Sequence, residues 1–588
     1  MVEPANSGTP PNNHEISRLR ARIEIIVVWS TLALFASIRS WGDLRAGRFA
    51  DPDDATRLVQ VRELLDGQGW WDLTLNRVAP GGVDMHWSRH VDALLGGVIT
   101  MFRPLVGSDS AELIALLVVP LGLLLAALWL VSSIARWVSP RVDVGLYAMV
   151  VFGFGAGALS RLGPGRIDHH GLQVVMLLAM VRLVLAWPSV RALVVAGVAG
   201  GMSLTVGLET LPAVAAILAG VGMRWGVSGA SDRSAYRAVG FSLVASAVGS
   251  NLLFGPPGRI LSLECDVFSL GFFGLIAIPA LGLALVGGSS VSTRVRWWTL
   301  TGLAAAGVGW FGVLTPTCAA GPYGAYPDIV GRIWFDLIIE AQGLVSYASA
   351  LPWAALGLLI GPTVGLAYLG WLTWKSRNIA AVPWLASLFV VLAFCLWQVR
   401  VVPQAQALAA PALGVAVTRL RNAVKWVPAR AVAAAIAVLI LSGFAFGFVS
   451  ERVGASKESG APPAASCVTE DLLIQLAALD PGLVLVEVNY GPDVLVHTEH
   501  DVLSPPYHRA YRNIVASYEL FTSDPGNARE LAEALGADYV MVCDETAISN
   551  SWSADNEAGF LAGLLDDSPP PWARKVIDTG PTRVYQLD

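Results

Sequence analysis

The sequence predicts a polytopic α-helical membrane protein of about 13 transmembrane helices, with a small α/β domain at its C-terminal end. Composition is the first reason, because 54% of the 588 residues are hydrophobic and only 14% are charged, a balance that a soluble domain of this size would not show. The second reason is length, since the apolar runs recur near the ~20 residues that a helix needs to cross a bilayer. The third reason is a change of composition after Val449, where a soluble domain begins.

Thirteen apolar runs are predicted as membrane spans. They cover residues 24–40, 110–135, 143–158, 171–187, 190–207, 210–225, 236–254, 269–288, 297–316, 348–373, 381–398, 402–418 and 430–449. A further apolar segment, 91–107, would invert every later loop if it crossed the bilayer, so we interpret it as interfacial or re-entrant. The first run lacks a small-residue cleavage site, and we expect it to be an anchor rather than a removable signal peptide.

Basic residues set the predicted orientation. Arg18, Arg20 and Arg22 precede the first span, and later basic residues fall in alternate loops, which is the pattern of a cytoplasmic N-terminus. These later residues are Arg136, Arg141, Arg191, Arg224, Arg233, Arg237, Arg294, Arg296, Lys375, Arg377, Arg419, Arg421, Lys425 and Arg430. Thirteen spans then place the C-terminal domain outside. We expect a bacterial plasma-membrane protein whose active site and C-terminal domain are extracytoplasmic.

The chain divides into four parts. They are a disordered cytoplasmic N-terminus (1–23), a transmembrane domain (24–450), a linker rich in Gly, Ala, Ser and Pro (451–466) and an extracytoplasmic domain (467–588). In the last part, LVLVEV (483–488) and DYVMVC (538–543) are typical of strands, while TEDLLIQLAALD and NARELAEALG are typical of helices. These elements predict a small α/β domain.

Four of the five cysteines fall in predicted outer loops or in the outer domain, and the fifth, Cys395, falls within a span. The sequence therefore allows two alternatives. Either disulfides join Cys265 to Cys318 and Cys467 to Cys543, or these cysteines are free buried thiols. No zinc-binding C-x-x-C spacing occurs.

The longest predicted outer loop, 41–109, opens with an acidic motif. Asp51, Asp53 and Asp54 stand just before a predicted helix whose apolar face consists of Leu58, Val61, Leu64 and Leu65. Asp53 or Asp54 either caps this helix, by accepting hydrogen bonds from its first N–H groups, or carries chemistry.

The stretch SRLGPGRIDHHGLQ (160–173) forms the second predicted outer loop. It places Asp168 and His170 two residues apart beside the membrane, where ionisable groups usually mark a site or a pathway. Oxygen and imidazole ligands suit Mn²⁺, Mg²⁺ or a similar cation. A surface loop with two solvated histidines is the alternative.

Further ionisable residues stand at the predicted outer surface. Glu340 lies in the apolar context RIWFDLIIEAQ and either forms a salt bridge or belongs to a site. Arg400, at the outer end of the eleventh span, either snorkels to the surface or binds phosphate. His508 and Arg509, in SPPYHRAYRNI, either contact an acceptor or a pyrophosphate or belong to a structural loop fixed by prolines.

The order of these motifs along the spans resembles the GT-C glycosyltransferase superfamily. The resembling features are an acidic motif in the first outer loop, S-R…G-x-x-D-x-H in the second, I-x-E in the fifth, an arginine near the eleventh span and an outer α/β domain. Within the superfamily, the chain looks most like the catalytic subunit of oligosaccharyltransferase in its bacterial and archaeal single-subunit forms. The resemblance covers nearly the whole chain.

The resemblance implies a membrane glycosyltransferase that takes a sugar or oligosaccharide from a polyprenyl-(pyro)phosphate donor. It implies a divalent metal, Mn²⁺ or Mg²⁺, held by Asp54, Asp168 and His170, with Asp54 or Asp53 as the catalytic carboxylate. The residues expected to bind the donor are Arg161, Glu340, Arg400, His508 and Arg509. Its expected partners are the lipid-linked donor, membrane lipids and a glycan, lipid or protein acceptor, and no nucleic acid.

The sequence departs from this family at the acceptor motif W-W-D-Y-G. The corresponding residues are Glu487, Val488, Asn489, Tyr490 and Gly491, so both tryptophans and the aspartate are missing. The resemblance therefore does not extend to recognition of a protein sequon. The rival function is a transporter or flippase of lipid-linked sugars, although the predicted spans contain few charges beyond Arg182 and Glu209.

Overall fold

The computed structural model describes residues 13–324, 326–455, 467–544 and 546–588. The α-helices in these ranges are α1 Asn13–Arg45, α2 Pro52–Leu65, α3 His90–Val106, α4 Ser108–Val138, α5 Val142–Phe154, α6 Ala156–Leu162, α7 His170–Val184, α8 Val190–Val206, α9 Leu211–Ser228, α10 Arg233–Phe254, α11 Leu270–Val286, α12 Thr293–Leu314, α13 Asp328–Ile333, α14 Leu344–Ala350, α15 Pro352–Ser376, α16 Val382–Phe394, α17 Val402–Ala423, α18 Val427–Leu441, α19 Phe444–Ala455, α20 Glu470–Ala477, α21 Gly491–His497, α22 Tyr511–Thr522, α23 Pro525–Leu535, α24 Ala547–Asp555 and α25 Phe560–Leu565. The strands are β1 Thr74–Leu75, β2 Val83–Asp84, β3 Leu483–Val486, β4 Asp501–Val502, β5 Ala537–Cys543, β6 Ala573–Asp578 and β7 Thr582–Leu587.

Each predicted span coincides with an apolar helix or with a bent pair of helices. Among the described residues, seven helices are long and apolar enough to cross a membrane, and nine spans result if each bent pair counts as one. Four shorter apolar helices occupy the remaining predicted positions, and they correspond to α7, α8, α11 and α16. The prediction of a polytopic helical protein is confirmed.

The bend between α5 and α6 directs the chain toward the site. The two helices meet at 71°, and the N–H of Gly157 donates a hydrogen bond of 2.9 Å to Oε1 of Gln406 on α17. A Cβ atom on Gly157 would lie only 2.7 Å from Cα of Pro403, so only glycine permits this close approach of α6 to α17. The short helix α6 then ends beside the loop that contains Asp168.

The N-terminal boundary predicted from the sequence is corrected by the structure. Helix α1 begins at Asn13, inside the segment 1–23 that we predicted to be disordered. Arg20 and Glu24 form an i,i+4 ion pair of 3.1 Å, and Glu24 also pairs with Arg136 of α4 at 3.0 Å. These pairs let a charged segment continue the helix. Residues 1–12 lie outside the described ranges, as do residues 456–466 of the predicted linker.

The segment between α1 and α4 packs as a compact layer. Helix α3, which matches the segment predicted as interfacial, is joined to α4 only through Gly107, whose φ of 82° turns the chain sharply. Arg57 of α2 and Arg89 both bind Asp92 of α3, at 2.8 and 2.9 Å. This buried ion triad fixes α2 against α3 and thereby positions the start of α2.

The C-terminal domain is a five-stranded mixed sheet of order β4-β3-β5-β7-β6 with helices around it. Strands β4, β3 and β5 are parallel, whereas β7 and β6 are antiparallel. The predicted strands correspond to β3 and β5, and the predicted helices correspond to α20 and α23. Arg77 and Asn513 attach this domain to the α1–α4 segment, through hydrogen bonds of 2.9 Å to the carbonyl of Leu495 and 2.7 Å to the carbonyl of Ala79.

Both disulfides that the sequence left open are formed. Cys265 is bonded to Cys318 and Cys467 to Cys543, with Cα–Cα distances of 5.1 and 5.7 Å. Cys395 is a buried free thiol.

Candidate active site

One large cavity, of about 1650 Å³, lies between the helical bundle and the C-terminal domain. The α1–α4 segment, the ends of several bundle helices and the C-terminal domain all contribute to its wall. The predicted site residues that line it are Asp53, Arg161, His170, Glu340, Arg400 and His508. Residues far apart in sequence therefore meet here.

The start of α2 gives its three aspartates different positions. Asp51 is the N-cap, because its side chain accepts a hydrogen bond of 3.1 Å from the N–H of Asp53. The capping role that the sequence offered to Asp53 or Asp54 thus belongs to Asp51. Asp53 faces the cavity and accepts a hydrogen bond of 3.0 Å from the Tyr507 hydroxyl of the C-terminal domain.

Asp54 lies behind Asp53 and joins α2 to the loop before α7. Its Oδ1 atom accepts hydrogen bonds of 2.7 and 3.0 Å from the N–H groups of Ile167 and Asp168. Neither Asp54 nor Asp168 lines the cavity. Of the aspartate doublet, Asp53 is therefore the residue that faces the cavity.

Two arginines lie among these carboxylates. Arg166 is 2.8 Å from Asp51, 3.0 Å from Asp54 and 3.4 Å from Asp168. Arg161 is 3.5 Å from Asp168 and 2.9 Å from Glu340. The side chains of both arginines are only 11% exposed, so the network is held in a low-dielectric environment where charges act strongly.

A third arginine extends the network. Arg400 is 3.5 Å from Glu340 and donates a hydrogen bond of 3.0 Å to the Tyr323 hydroxyl. Burial alone would raise the pKa of Glu340, but Arg400 and Arg161 outweigh it and lower that pKa to about 2. The Glu340 carboxylate is therefore ionised and flanked by two cations.

The pKa values of the carboxyl groups are shifted in opposite directions. Burial, with the neighbouring charges of Asp51 and Asp168, raises the pKa of Asp53 to about 7. Burial likewise raises the pKa of Asp54, although Arg166 partly offsets it. Burial alone would raise the pKa of Asp168, but the nearby charges of His170, Arg166 and Arg161 lower it below its ordinary value. Such divergence between neighbouring acids is typical of sites that move protons.

Two groups of side chains have the ligand atoms to hold a cation. In the first group, His169, His170 and Glu209 have ligand atoms within 4.8 Å of one another. His169 is 3.4 Å from Glu209 through Nε2, and its buried Nδ1 atom has no hydrogen-bond partner among the described residues. Imidazole and carboxylate ligands fit a divalent cation here.

The second group is His86, Asp266 and His508, with the same limit of 4.8 Å. Here Arg509 donates two hydrogen bonds to Asp266, of 2.7 and 3.0 Å, and His508 lies 2.7 Å from the same carboxylate. Because Asp266 is already neutralised by a guanidinium, this group fits a cation less well than the first.

The predicted metal set is only partly brought together. Asp54 and Asp168 meet at Arg166, whereas the His170 imidazole belongs to the group of His169 and Glu209. The backbone N–H of His170 donates a hydrogen bond of 2.8 Å to Asp168. The predicted set Asp54, Asp168 and His170 thus stays a prediction.

Arg509, predicted to contact the donor, does not line the cavity. It forms ion pairs with Asp84, Glu264 and Asp266 at 3.0, 2.8 and 2.7 Å. These acids belong to the α1–α4 segment and to the loop after α10, so Arg509 attaches the C-terminal domain to the bundle.

Several site residues were missed from the sequence. They are Asp51, Arg166, His169, Glu209, Tyr323, Tyr507 and Asp266. A usable signal existed for four of them, because Asp51 belongs to the acidic motif before α2, Arg166 and His169 stand in the same stretch as Asp168, and Glu209 is a charge beside an apolar run. The tyrosines and Asp266 carry no such signal.

An apolar wall adjoins the arginines. Phe272, Phe311, Phe394 and Trp397 line the cavity on the side of α11, α12 and α16. A ligand with a charged group and a hydrocarbon tail would find both environments in this one cavity.

Comparison with known proteins gives matches among solved structures alone. No protein-family model and no curated protein matches the sequence. The archaeal oligosaccharyltransferase AglB from Archaeoglobus fulgidus, in complex with an inhibitory peptide and a dolichol-phosphate, matches with a TM-score of 0.61 at 14% identity, over 96% of this chain and 74% of that one. The apo form gives 0.59 at 16% identity over 96% and 74%.

A third A. fulgidus structure, the oligosaccharyltransferase complex with Zn and sulfate, gives a TM-score of 0.57 at 16% identity, over 95% of this chain and 72% of that one. At these identities the likeness concerns the fold. The chain therefore has a fold similar to that of the archaeal oligosaccharyltransferase.

Proposed function

We propose that this protein is a membrane glycosyltransferase, which transfers a sugar or oligosaccharide from a polyprenyl-(pyro)phosphate donor to an extracytoplasmic glycan, lipid or protein. The observation that carries the proposal is the cavity itself. It places a cavity-facing carboxyl group, Asp53, together with Arg161, Arg166 and Arg400, next to an apolar wall.

The arginines suit the leaving group. When the bond between the anomeric carbon and the phosphate oxygen breaks, negative charge develops on that oxygen, and fixed cations stabilise it. Arg161 and Arg400 flank Glu340 at 2.9 and 3.5 Å, so both guanidinium groups are already oriented. The wall of Phe272, Phe311, Phe394 and Trp397 offers an apolar surface for the polyprenyl chain. The structure of AglB with a dolichol-phosphate supports a lipid carrier.

Asp53 is positioned to act as the base that takes a proton from the acceptor. A carboxylate at the cavity surface takes the proton of the attacking group as the new glycosidic bond forms. The Tyr507 hydroxyl at 3.0 Å fixes the orientation of this carboxyl group. A single displacement of this kind inverts the anomeric centre. Asp54, which is bonded to two backbone N–H groups, holds the loop of Asp168 in place.

A divalent cation, Mn²⁺ or Mg²⁺, belongs to the proposal. The residues that would hold it are His169, His170 and Glu209. Asp168 directly precedes His169 in the chain. Such an ion supplies positive charge that stabilises a leaving phosphate. The complex of the A. fulgidus oligosaccharyltransferase with Zn supports a metal in this fold.

The compartment follows from two features. Positive loop residues predict a cytoplasmic N-terminus and an outer C-terminal domain. Cys265 and Cys318, which are bonded to each other, line the cavity, and the disulfide Cys467–Cys543 lies in the C-terminal domain. Disulfides persist in oxidising compartments. We therefore place the active site on the extracytoplasmic face of the plasma membrane.

The proposal is tested by mass spectrometry of carrier-linked sugars and envelope glycoconjugates. Cells that lack the protein are complemented with wild type, Asp53→Asn, Asp168→Ala or the exposed control Glu533→Gln. We expect the deletion and both site variants to accumulate one carrier-linked sugar while one glycoconjugate loses it, with at least a hundredfold loss of transfer. Glu533→Gln should match wild type, because Glu533 only forms an exposed pair with Arg529.

The same cells separate a transferase from a flippase. Right-side-out vesicles are treated with a glycosidase that cannot cross the membrane. A transferase defect leaves the accumulated carrier-linked sugar on the outer leaflet, where the glycosidase removes it. A protected sugar, or normal transfer by Asp53→Asn made at wild-type levels, would contradict the proposal.

A further inference from the structure

We propose that the acceptor is a carbohydrate, and that its hydroxyl groups bind to one wall of the cavity formed by Glu487, Asn489, Tyr490, Asp493 and Thr546. We call these five residues the acceptor wall. This inference rests on the proposed transferase function and adds the chemical class of the second substrate. All five residues line the same cavity as Asp53 and Arg166.

Local structure explains why these residues face the cavity. Strand β3 ends at Val486, and a 3-10 turn over Val488–Tyr490 leads into α21. The side chain of Val488 is fully buried in the core of the C-terminal domain. Because Val488 faces inward, its neighbours Glu487 and Asn489 are directed to the cavity.

The carboxyl groups of the acceptor wall have no cationic side chain as a partner among the described residues. Glu487 is only 6% exposed, and its described partners are neutral: the Asn489 amide at 3.3 Å, the Ser549 hydroxyl at 3.4 Å and the Thr546 side chain. Asp493 has no ion pair among the described residues. Burial raises the pKa of each carboxyl to about 7.

The carboxylates of the arginine network differ from those of the acceptor wall in this respect. Asp168 and Glu340 each lie within 3.5 Å of an arginine, whereas the acceptor wall has hydrogen-bonding neighbours only. A buried acid without a cation is costly unless something donates hydrogen bonds to it. Glu487 has such donors within the domain, whereas the Asp493 carboxyl accepts no hydrogen bond among the described residues. Since both residues border the cavity, a ligand there can donate to Asp493 and add to the donors of Glu487.

The mixture of groups identifies the ligand chemistry. The wall combines acceptors in Glu487 and Asp493, an amide in Asn489 that both donates and accepts, and a hydroxyl in Thr546. Sugar hydroxyls also donate and accept, so they satisfy such a mixed set. Tyr490 adds a flat ring that can pack against the C–H face of a sugar. A simple amine would use the carboxylates but leave the amide and the hydroxyl without a role.

The acceptor wall belongs to the domain that contacts Asp53. Tyr507 belongs to the same domain and contacts Asp53, so the domain that holds the acceptor also orients the base. In the transfer, an acceptor hydroxyl oxygen forms the bond to the anomeric carbon of the donor. The carbon–oxygen bond to the carrier breaks, the phosphate keeps the electron pair, and the hydroxyl proton passes to the Asp53 carboxylate.

The test uses the full-length protein in its own cells, with Glu487→Gln, Asp493→Asn and the double variant, and with Glu533→Gln as the matched control in the same domain. Glycans, lipids and proteins of the envelope are analysed by mass spectrometry, and each variant is checked for its level and melting temperature. We expect the sugar to be missing from a glycan, with at least a tenfold loss of transfer in the double variant. Protein asparagines should be unaffected.

The outcomes separate this inference from the proposed function. If the deletion strain accumulates no carrier-linked sugar, the transferase proposal fails. If it does, but the sugar is missing from asparagine or from an amine-bearing lipid, the carbohydrate acceptor is wrong. The wall is likewise wrong if the double variant, made at normal levels, transfers like Glu533→Gln. As a second measurement, Tyr490→Ala should also lower transfer to the glycan, since stacking does not depend on charge.

Discussion

Glu487 is a buried carboxyl group that has no basic partner among the described residues, and its titration should be visible in the stability of the protein. Burial raises its pKa in the folded state to about 7, from an ordinary value of 4.5. Between these values the folded state binds more protons than the unfolded state, so stability falls as the pH rises through this window. Below about pH 4.5 the contribution is complete, and above about pH 7 it is lost.

We expect the melting temperature of wild type to fall further between pH 5 and pH 8 than that of Glu487→Gln, because the Glu487 carboxyl favours the folded state at the lower pH. The difference that Glu487 contributes is on the order of 3 kcal/mol, and Asp493 adds to it in the same direction because its pKa is also raised to about 7. Tyr490 is the titratable neighbour of both, and burial raises its pKa further. Glu487→Gln should reduce the pH dependence, as followed by tryptophan fluorescence, whereas Glu533→Gln should leave it unchanged. An undiminished dependence in Glu487→Gln would show that other groups cause it.

At the same scale, the sequence identified residue types better than their roles. It pointed to the acidic motif before α2, yet only the folded chain shows that Asp51 caps the helix while Asp53 faces the cavity. The difference arises because Arg166, more than a hundred residues later, pairs with Asp51. Local spacing cannot reveal such a partner, since packing of α2 against the loop before α7 creates it.

At the scale of elements, the ion triad of Arg57, Arg89 and Asp92 holds α2 against α3. The side chains of Arg57, Arg89 and Asp92 are between 0% and 1% exposed. Arg57 also stacks on the Trp87 ring at 4.0 Å. Removal of the shared carboxylate leaves two buried guanidinium groups without a counter-ion, which is strongly destabilising.

We therefore expect Asp92→Asn to destabilise the protein by roughly 3–5 kcal/mol and to reduce its amount in the membrane. Because α2 carries Asp53, transfer should fall as well. The matched control is Asp109→Asn, at the exposed start of α4. The measurement is the melting temperature of the purified full-length protein, together with its level in membranes. If Asp92→Asn melted like Asp109→Asn, the triad would not be what holds α2 against α3.

The long elements were predictable, whereas the short ones were not. Apolar length indicates a span wherever it occurs, and each predicted span coincides with a helix. Strands β4, β6 and β7 were not predicted, because β4 has two residues and because β6 and β7 depend on pairing with each other. The bend between α5 and α6 also lacked a signal, since Gly157 is required through its close approach to α17.

At the scale of the whole molecule, the candidate active site is complete only when the C-terminal domain is docked. Tyr507 comes from that domain and Asp53 from the α1–α4 segment, so their contact of 3.0 Å depends on docking. The sequence predicted both domains, but it did not predict which residues form the contacts between them. That relation rests on pairs such as Arg509 with Asp266, whose partners come from distant parts of the chain.

Arg509 provides the test of this docking, because two roles for it make opposite predictions. Its ion pairs with Asp84, Glu264 and Asp266 attach the domain to the bundle, whereas a phosphate-binding role would matter only when donor is present. If docking is its role, Arg509→Met should lower the melting temperature of the donor-free protein and speed proteolysis between the domains, since it leaves the buried Asp266 without its cation. The control Arg529→Met removes an exposed i,i+4 pair and should change neither. Normal stability of Arg509→Met combined with lost transfer would instead return Arg509 to the donor site.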